Sequence, residues 1–167
     1  MRTTLKILSS LLLLILLSCG GKEDKKKENF SYEKPTKSEN KANTSAEKIP
    51  ASKKIDLNNK GIGPISSVNL NTEIDQVMAT HGSEVFKKMC SACHRPDKKF
   101  IGPAPTGILE RRSPEWIMNM ILNPEGMVQN DPLAKELLIE FNGSPMANQN
   151  LTQEEARAVL EYFRTLK

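Results

Sequence analysis

Cysteine, histidine and aromatic residues are scarce in this sequence of 167 residues, which has three cysteines, two histidines and one tryptophan. A structural zinc site needs four ligands, and the sequence has no second CxxC pair or paired histidine motif to complete one. Aromatic residues make up 5% of the chain, so a small domain built from it would have a marginal core. Runs that alternate polar with apolar residues are also missing. These shortages exclude a zinc-binding domain and favour a small all-helical fold.

A strongly basic folded domain is also lacking, although the net charge of the whole chain is +4. Residues 19–60 hold 11 lysines and 7 acidic residues, whereas residues 61–167 hold 11 basic and 13 acidic residues. The basic residues are not interleaved with aromatic side chains that would stack on bases. We therefore expect no binding to nucleic acids.

The first 18 residues have the pattern of an export signal. A basic start is followed by an apolar stretch that ends at Leu17 and is too short to span a bilayer. The sequence LLSC at residues 16–19 resembles the lipobox of bacterial lipoproteins. This resemblance implies that residues 1–18 are removed and that Cys19 is lipidated. The protein would then be anchored to a membrane of the cell envelope, with its folded domain in the periplasm or another extracytoplasmic space. An ordinary signal peptide that is cleaved elsewhere is the alternative.

The segment after this signal is rich in Lys, Glu, Asn and Ser and has few apolar residues. Such a segment cannot bury enough apolar surface to offset the entropy lost on ordering. We therefore predict that residues 19–71 are a lipidated N-terminus and a disordered charged linker, and that residues 72–167 form the folded domain.

Short helices separated by loops are predicted from residue 72 onward. The first covers about Glu84 to Cys90. Three further helix starts are indicated by capping residues, two of them followed by proline. They are Ser113 with Pro114, Asp131 with Pro132, and the capping box from Thr152 to Glu155. We expect an all-α fold of about four to five short helices.

The pentapeptide CSACH at residues 90–94 indicates the chemistry of the chain. Two thiols at this spacing can each add to one vinyl group of a haem, and the histidine that follows is then held beneath the iron as an axial ligand. A thioredoxin-like redox pair would follow a strand, but Val85, Phe86 and Met89 precede the motif at helical spacing. The motif predicts one haem c attached to Cys90 and Cys93, which would complete the marginal core.

Residues 80–167 resemble a monohaem class I cytochrome c. The resemblance rests on residues around CSACH and near the C-terminus, namely Gly82, Phe86, Gly102, Pro103, a methionine loop, Tyr162 and Phe163. It implies that the first and last helices of a cytochrome c-like domain cross at Gly82. It also implies that the carbonyl group of Pro103 accepts a hydrogen bond from Nδ1 of His94, the axial ligand.

The resemblance further implies that a methionine sulfur is the second axial ligand of the iron. Met146, in the loop before the last helix, is our prediction, and Met127, which we place in an earlier loop, is the alternative. Met118 and Met120 fall inside a predicted helix and are expected to fill the core. His81 is expected to be an exposed residue at the start of the first helix.

Three further residues resemble groups that hydrogen-bond haem carboxylates in relatives. They are Trp116, Arg111 and Arg112. We favour a core position for the tryptophan and surface positions for the arginines, because tryptophan usually packs in the core and arginine is usually exposed.

A carrier of single electrons, and not an enzyme, is the function that the resemblance implies. The protein would be a membrane-anchored monomer with a His/Met-ligated haem c, donating electrons to a respiratory oxidase or reductase. Two alternatives remain. A sensor or peroxidase would have a five-coordinate haem, although no distal acid–base group is visible in the sequence. A fixed haem subunit of a larger oxidoreductase complex would have the same site.

Overall fold

Five α-helices form the structure, a computed structural model that describes residues 49–167. They are α1 (Gln76–Met89), α2 (Pro114–Leu122), α3 (Pro124–Asn130), α4 (Pro132–Glu140) and α5 (Gln153–Thr165). Two 3₁₀ turns cover Ala51–Lys53 and Ile108–Glu110. Residues 49–167 contain no strand, only an isolated bridge between Asp56 and Arg112. The predicted all-α fold is confirmed. The predicted signal and Cys19 lie outside the described residues.

Side-chain caps set where α2, α4 and α5 begin. Ser113 accepts a hydrogen bond from the backbone N–H of Trp116, and Asp131 accepts one from the N–H of Ala134. Thr152 forms the predicted capping box with the residue three positions later. All three helix starts expected from the sequence are therefore confirmed.

The first helix is longer than predicted. It begins at Gln76, well before Glu84, because the side chain of Asp75 accepts hydrogen bonds from two N–H groups of its first turn. Val77 in the first turn is 83% exposed, and the buried positions before Glu84 are the small residues Ala79 and Gly82, so the apolar periodicity there is weak. His81 consequently lies within the helix and not at its start, and it is exposed as expected.

The segment around Met127 is helical, so its prediction as a loop was wrong. The side chain of Asn123 accepts a hydrogen bond from the N–H of Gly126, and Pro124 occupies the first turn of α3. These are the same start signals as those of α2 and α4. Seven residues are too few to show a helical period, so the cap and the proline after it were the available signals.

Helices α1 and α5 cross as the resemblance implied. Gly82 of α1 faces the backbone of Ala158 in α5, where a Cβ would overlap it. Next to this contact, the ring of Phe86 lies 5.5 Å from that of Tyr162 and 5.7 Å from that of Phe163, measured between centroids. The crossing packs the first and last helices of the domain into one core.

Residues 49–70, here called the strap, pack against the helices, so the predicted linker does not extend to residue 71. Ala51 and Ile65 of the strap are buried. Arg112 donates hydrogen bonds to strap carbonyl groups, and Asn119 of α2 both donates to and accepts from Ile65, each at 2.9 Å. Polar side chains from elsewhere in the domain hold the strap. The strap itself has few apolar residues, so its composition alone suggested disorder.

No helix among residues 49–167 is both long and apolar enough to cross a membrane.

Candidate functional site

The CSACH motif begins where α1 ends. Cys90 is the C-cap residue of α1, and its N–H donates a hydrogen bond to the carbonyl of Phe86. The chain then turns, with the N–H groups of Cys93 and His94 bonded to the carbonyl of Cys90 at 3.1 and 2.9 Å. This turn brings the side chains of Cys90, Cys93 and His94 to the wall of one cavity.

Each of the five helices contributes apolar side chains to this cavity. Examples are Phe86 of α1, Ile117 of α2, Val128 of α3, Leu137 of α4 and Val159 of α5. An apolar cavity that reaches every helix of a small domain is suited to a large apolar cofactor that completes the core.

The imidazole of His94 is held on two sides. Its Nδ1 lies 2.8 Å from the carbonyl oxygen of Pro103, as the resemblance implied. The ring also lies directly against Gly102, where a Cβ would collide with it. Since a carbonyl can only accept, Nδ1 carries the proton and Nε2 keeps a lone pair for a metal ion. These contacts thus fix the orientation and the tautomer of an imidazole that can ligate a metal ion through Nε2.

The two candidate methionines lie in different surroundings. Met146 lines the cavity. Met127 is 0% exposed, and its sulfur accepts a hydrogen bond from the N–H of Ile62 at 3.0 Å; it is absent from the lining of the cavity. The structure therefore favours Met146. Of the two methionines expected in the core, Met118 is buried, whereas Met120 is half-buried and lines the cavity.

Trp116, Arg111 and Arg112 all line the cavity. Trp116 is buried, and its indole N–H donates to Asp131 at 3.2 Å, so this donor is already used within the protein. Arg111 is half-buried, with its guanidinium bonded to the carbonyls of Gly107 and Thr106. Arg112 is 3% exposed, so a surface position is wrong for it. Sequence reasoning missed Ser52 of the strap, which also lines the cavity and has no sequence signal of its own.

Burial, and to a smaller extent the neighbouring Cys93, raise the pKa of the Cys90 thiol to about 11. A thiol in these surroundings stays protonated at neutral pH, which disfavours a metal thiolate or a redox-active thiolate. The donor set is thus two thiols, an oriented imidazole and a thioether around an apolar cavity. These groups fit a covalently bound haem, and His81, which does not line the cavity, takes no part.

Comparison with known proteins gave one family and several structures. The family model described as cytochrome c matches residues 79–167, more than half of the chain. A cytochrome c from Rhodothermus marinus is 42% identical with a TM-score of 0.60, and the match covers 70% of this chain and 92% of that one. An engineered cytochrome c from Rhodothermus marinus is 41% identical with a TM-score of 0.60, covering 70% and 93%. The engineered protein bound to a carbene intermediate is also 41% identical, with a TM-score of 0.58 and the same coverage. No curated protein matches the sequence.

Proposed function

The chain belongs to the cytochrome c family and carries a covalently bound haem c, and from this we propose that it is a membrane-anchored one-electron carrier of a respiratory chain. Its electrons would pass to an oxidase or reductase. The observation that carries the proposal is the position of His94 and Met146, which line the same apolar cavity as the two cysteines of CSACH.

Four residues would hold the cofactor. Cys90 and Cys93 would form its covalent attachments, and His94 and Met146 would be the two axial ligands of the iron. When bound, the haem takes up and releases one electron at its iron. A thioether ligand favours ferrous iron and raises the potential, while the apolar wall keeps water from the site and tunes the potential through the local dielectric.

The lining of the cavity supports a carrier over a peroxidase. Among the described residues that line it, none is Asp, Glu or Lys, and the one histidine is His94. A peroxidase needs a general acid–base group near the substrate side of the haem. The walls offer hydrophobic side chains there instead, together with a methionine that would close the iron position.

An exposed apolar pair at the wall of the cavity supports docking to a redox partner. Phe100 and Ile101 are 46% and 48% exposed, and Ile101 also lines the cavity. The guanidinium of Arg95 lies 4.3 Å from the ring centroid of Phe100, and Lys98 and Lys99 are exposed beside it. We propose that this apolar centre with its basic rim contacts an acidic surface of the partner in a small, transient interface.

Membrane attachment rests on the lipobox sequence alone. Lipid on Cys19 would tether the chain to the membrane, with the haem domain, which lies within the described residues 49–167, outside the cytoplasm. Such a tether would keep a monomeric carrier at high local concentration near membrane complexes.

Carbon monoxide binding to the reduced full-length protein tests the proposal. A six-coordinate carrier is low-spin and binds the gas slowly, because the methionine must leave first. Fast binding to a high-spin ferrous haem would instead support a five-coordinate sensor or peroxidase. Stoichiometric co-purification with an oxidoreductase from detergent-solubilised membranes would show a fixed subunit and contradict a mobile carrier.

A further inference from the structure

Arg112 is a buried cation with an unused donor. Its Nη2 donates to the carbonyl of Ala51 at 2.6 Å, and its Nη1 donates to the carbonyls of Lys54 and Arg111. Its Nε is buried and has no partner among the described residues. These hydrogen-bond partners are neutral carbonyl groups, and the guanidinium also lies 5.2 Å from the ring centroid of Trp116. A buried charge is costly unless an opposite charge compensates it. The side chain lines the cavity, so an anion in the cavity would accept a hydrogen bond from Nε and would also compensate the buried charge.

The strap carbonyls that hold Arg112 are themselves held in place. The backbone N–H and the hydroxyl of Ser52 donate to Glu140 at 2.7 and 2.5 Å, and Lys54 forms an ion pair with Glu136 of α4. The N–H of Asp56 bonds to the carbonyl of Arg111 at 2.9 Å. These contacts tie the start of the strap to the end of α4 and to the residue next to Arg112.

Several charges surround the guanidinium. Burial and the neighbouring Arg111 lower the pKa of Arg112, while Asp56, Asp131 and Glu140 act in the opposite direction. Asp131 is already engaged, because it caps α4 and accepts from Trp116. Glu140 is engaged by Ser52. The nearby acids therefore moderate the buried charge without occupying Nε.

We propose that the first part of the strap, residues 50–56, is a positioning element for the anionic side of the cofactor. The contact of Arg112 with a haem carboxylate is what the family resemblance implies. The role of the strap is to bind both terminal nitrogens of Arg112 with its carbonyls and so to orient Nε toward that carboxylate. Ser52 and Arg111 lie at the same wall of the cavity and complete a subsite for that anion. The inference depends on the haem and not on the proposed role as an electron carrier.

Two variants of the haem-loaded full-length protein separate the parts of this subsite. Arg112→Lys keeps the positive charge but removes Nε, and Glu140→Ala releases Ser52 without touching a residue that lines the cavity. Glu154→Ala, at an exposed position in the first turn of α5, is the matched control for loss of an acidic side chain. Ser52→Ala is a second test of the strap, and it also keeps the proposal testable if Arg112→Lys does not take up haem.

The measurement is the reduction potential as a function of pH, with the visible spectrum confirming unchanged axial ligation. A carboxylate that loses its donor is protonated at higher pH, and its protonation removes a negative charge that stabilises ferric iron. In both variants the potential should therefore begin to rise at a higher pH as the solution is acidified. Loss of the Glu140 charge would by itself lower the pKa of the carboxylate, so a rise in Glu140→Ala reports the lost donor. The apparent pKa should increase by at least about one unit, a tenfold change in proton affinity. Glu154→Ala should match the parent.

Two results would overturn the proposal. If Arg112→Lys changes the pH profile but Glu140→Ala and Ser52→Ala match the parent, the strap does not position the arginine. If all the variants match the parent, no carboxylate of the cofactor contacts Arg112. Either result would leave the carbon monoxide test of the carrier function unaffected, so failure of the two proposals can be told apart.

Discussion

Gly82 of α1 lies against the backbone of Ala158 in α5 so closely that a Cβ at position 82 would overlap the Ala158 carbonyl group. Backbone atoms cannot rotate away as the end of a flexible side chain can. The close approach also sets the contact of Phe86 with Tyr162 and Phe163, and Phe86 lines the haem cavity. The absence of a side chain at position 82 therefore determines how near the two helices come. It also determines where Phe86 lies in the wall of the cavity.

We predict that Gly82→Ala destabilises the protein although alanine is the better helix former. The gain in helix propensity is about 1 kcal/mol, whereas forcing a well-packed interface apart costs about 1–3 kcal/mol or more. Urea unfolding of the haem-loaded protein should show a lower midpoint with a similar slope. Glu84→Ala, at an exposed position of the same helix, is the control and should leave the midpoint nearly unchanged. A midpoint for Gly82→Ala at or above the parent value would contradict the prediction.

Three of the helix starts and the identity of the cofactor were predictable from the sequence, because each depends on residues close together in the chain. The starts of α2, α4 and α5 follow from caps that act within one turn, and the haem c follows from five consecutive residues at 90–94. The family assignment and the bond between His94 and Pro103 followed from the resemblance.

The strap and the burial of Arg112 were not predictable because they depend on contacts between residues far apart in the chain. Asn119 bonds to Ile65, and Arg112 bonds to Ala51. Neither contact leaves a periodic pattern in the segment that it holds. The hydrogen bond to the sulfur of Met127 was unpredictable for the same reason, since its donor Ile62 lies in the strap.

Glu161 is the centre of a buried ionic cluster that holds the start of α1 against α5. It is 1% exposed and accepts from Arg157 at 2.5 Å, from Arg164 at 2.6 Å and from the backbone N–H of Asp75 at 2.9 Å. Burial raises the pKa of Glu161, but these hydrogen bonds and the two arginines outweigh burial and lower it overall. The charged form is therefore the one that stabilises the fold.

We predict that Glu161→Gln costs about 3 kcal/mol of stability at neutral pH, because it leaves buried donors facing a neutral group. A lowered pKa in the folded state gives stability that is full above the unfolded pKa, about 4.3, and is lost as the pH falls through the folded value. The gap between parent and variant should therefore narrow with acidification in this range. Urea titrations at several pH values measure it, with Glu154→Gln as the exposed control. A gap that stays constant down to pH 3 would refute the ionic explanation.

Replacement of Met146 by alanine should remove the weak absorption at the red edge of the oxidised spectrum that reports sulfur ligation of the iron. Met127→Ala is the matched control. It should keep that absorption, because its sulfur bonds to Ile62, and should lower stability by about 2–5 kcal/mol as a cavity-forming substitution. If the absorption survives in Met146→Ala and disappears in Met127→Ala, the assignment of the axial ligand is reversed.

The basic rim beside Phe100 should govern the rate of electron transfer to the partner. Lys98→Glu reverses a charge next to the exposed apolar pair without altering a residue that lines the cavity. If the partner surface is acidic, association at low ionic strength should slow by about tenfold, since steering by surface charges acts mainly on the association rate. Stopped-flow oxidation of the reduced protein by membranes of the host measures this rate, and the reduction potential should not change.

The salt dependence of that rate separates steering from damage to the site. A Debye length of about 10 Å at 0.1 M salt screens exposed charges, so the parent and Lys98→Glu should approach the same rate as salt is added. Lys135→Glu, a charge reversal at an exposed position on α4, should behave like the parent throughout. Equal slowing by both reversals would show that net charge matters and not the surface at Phe100 and Ile101. A parent rate that rises with salt would show that the partner surface is not acidic.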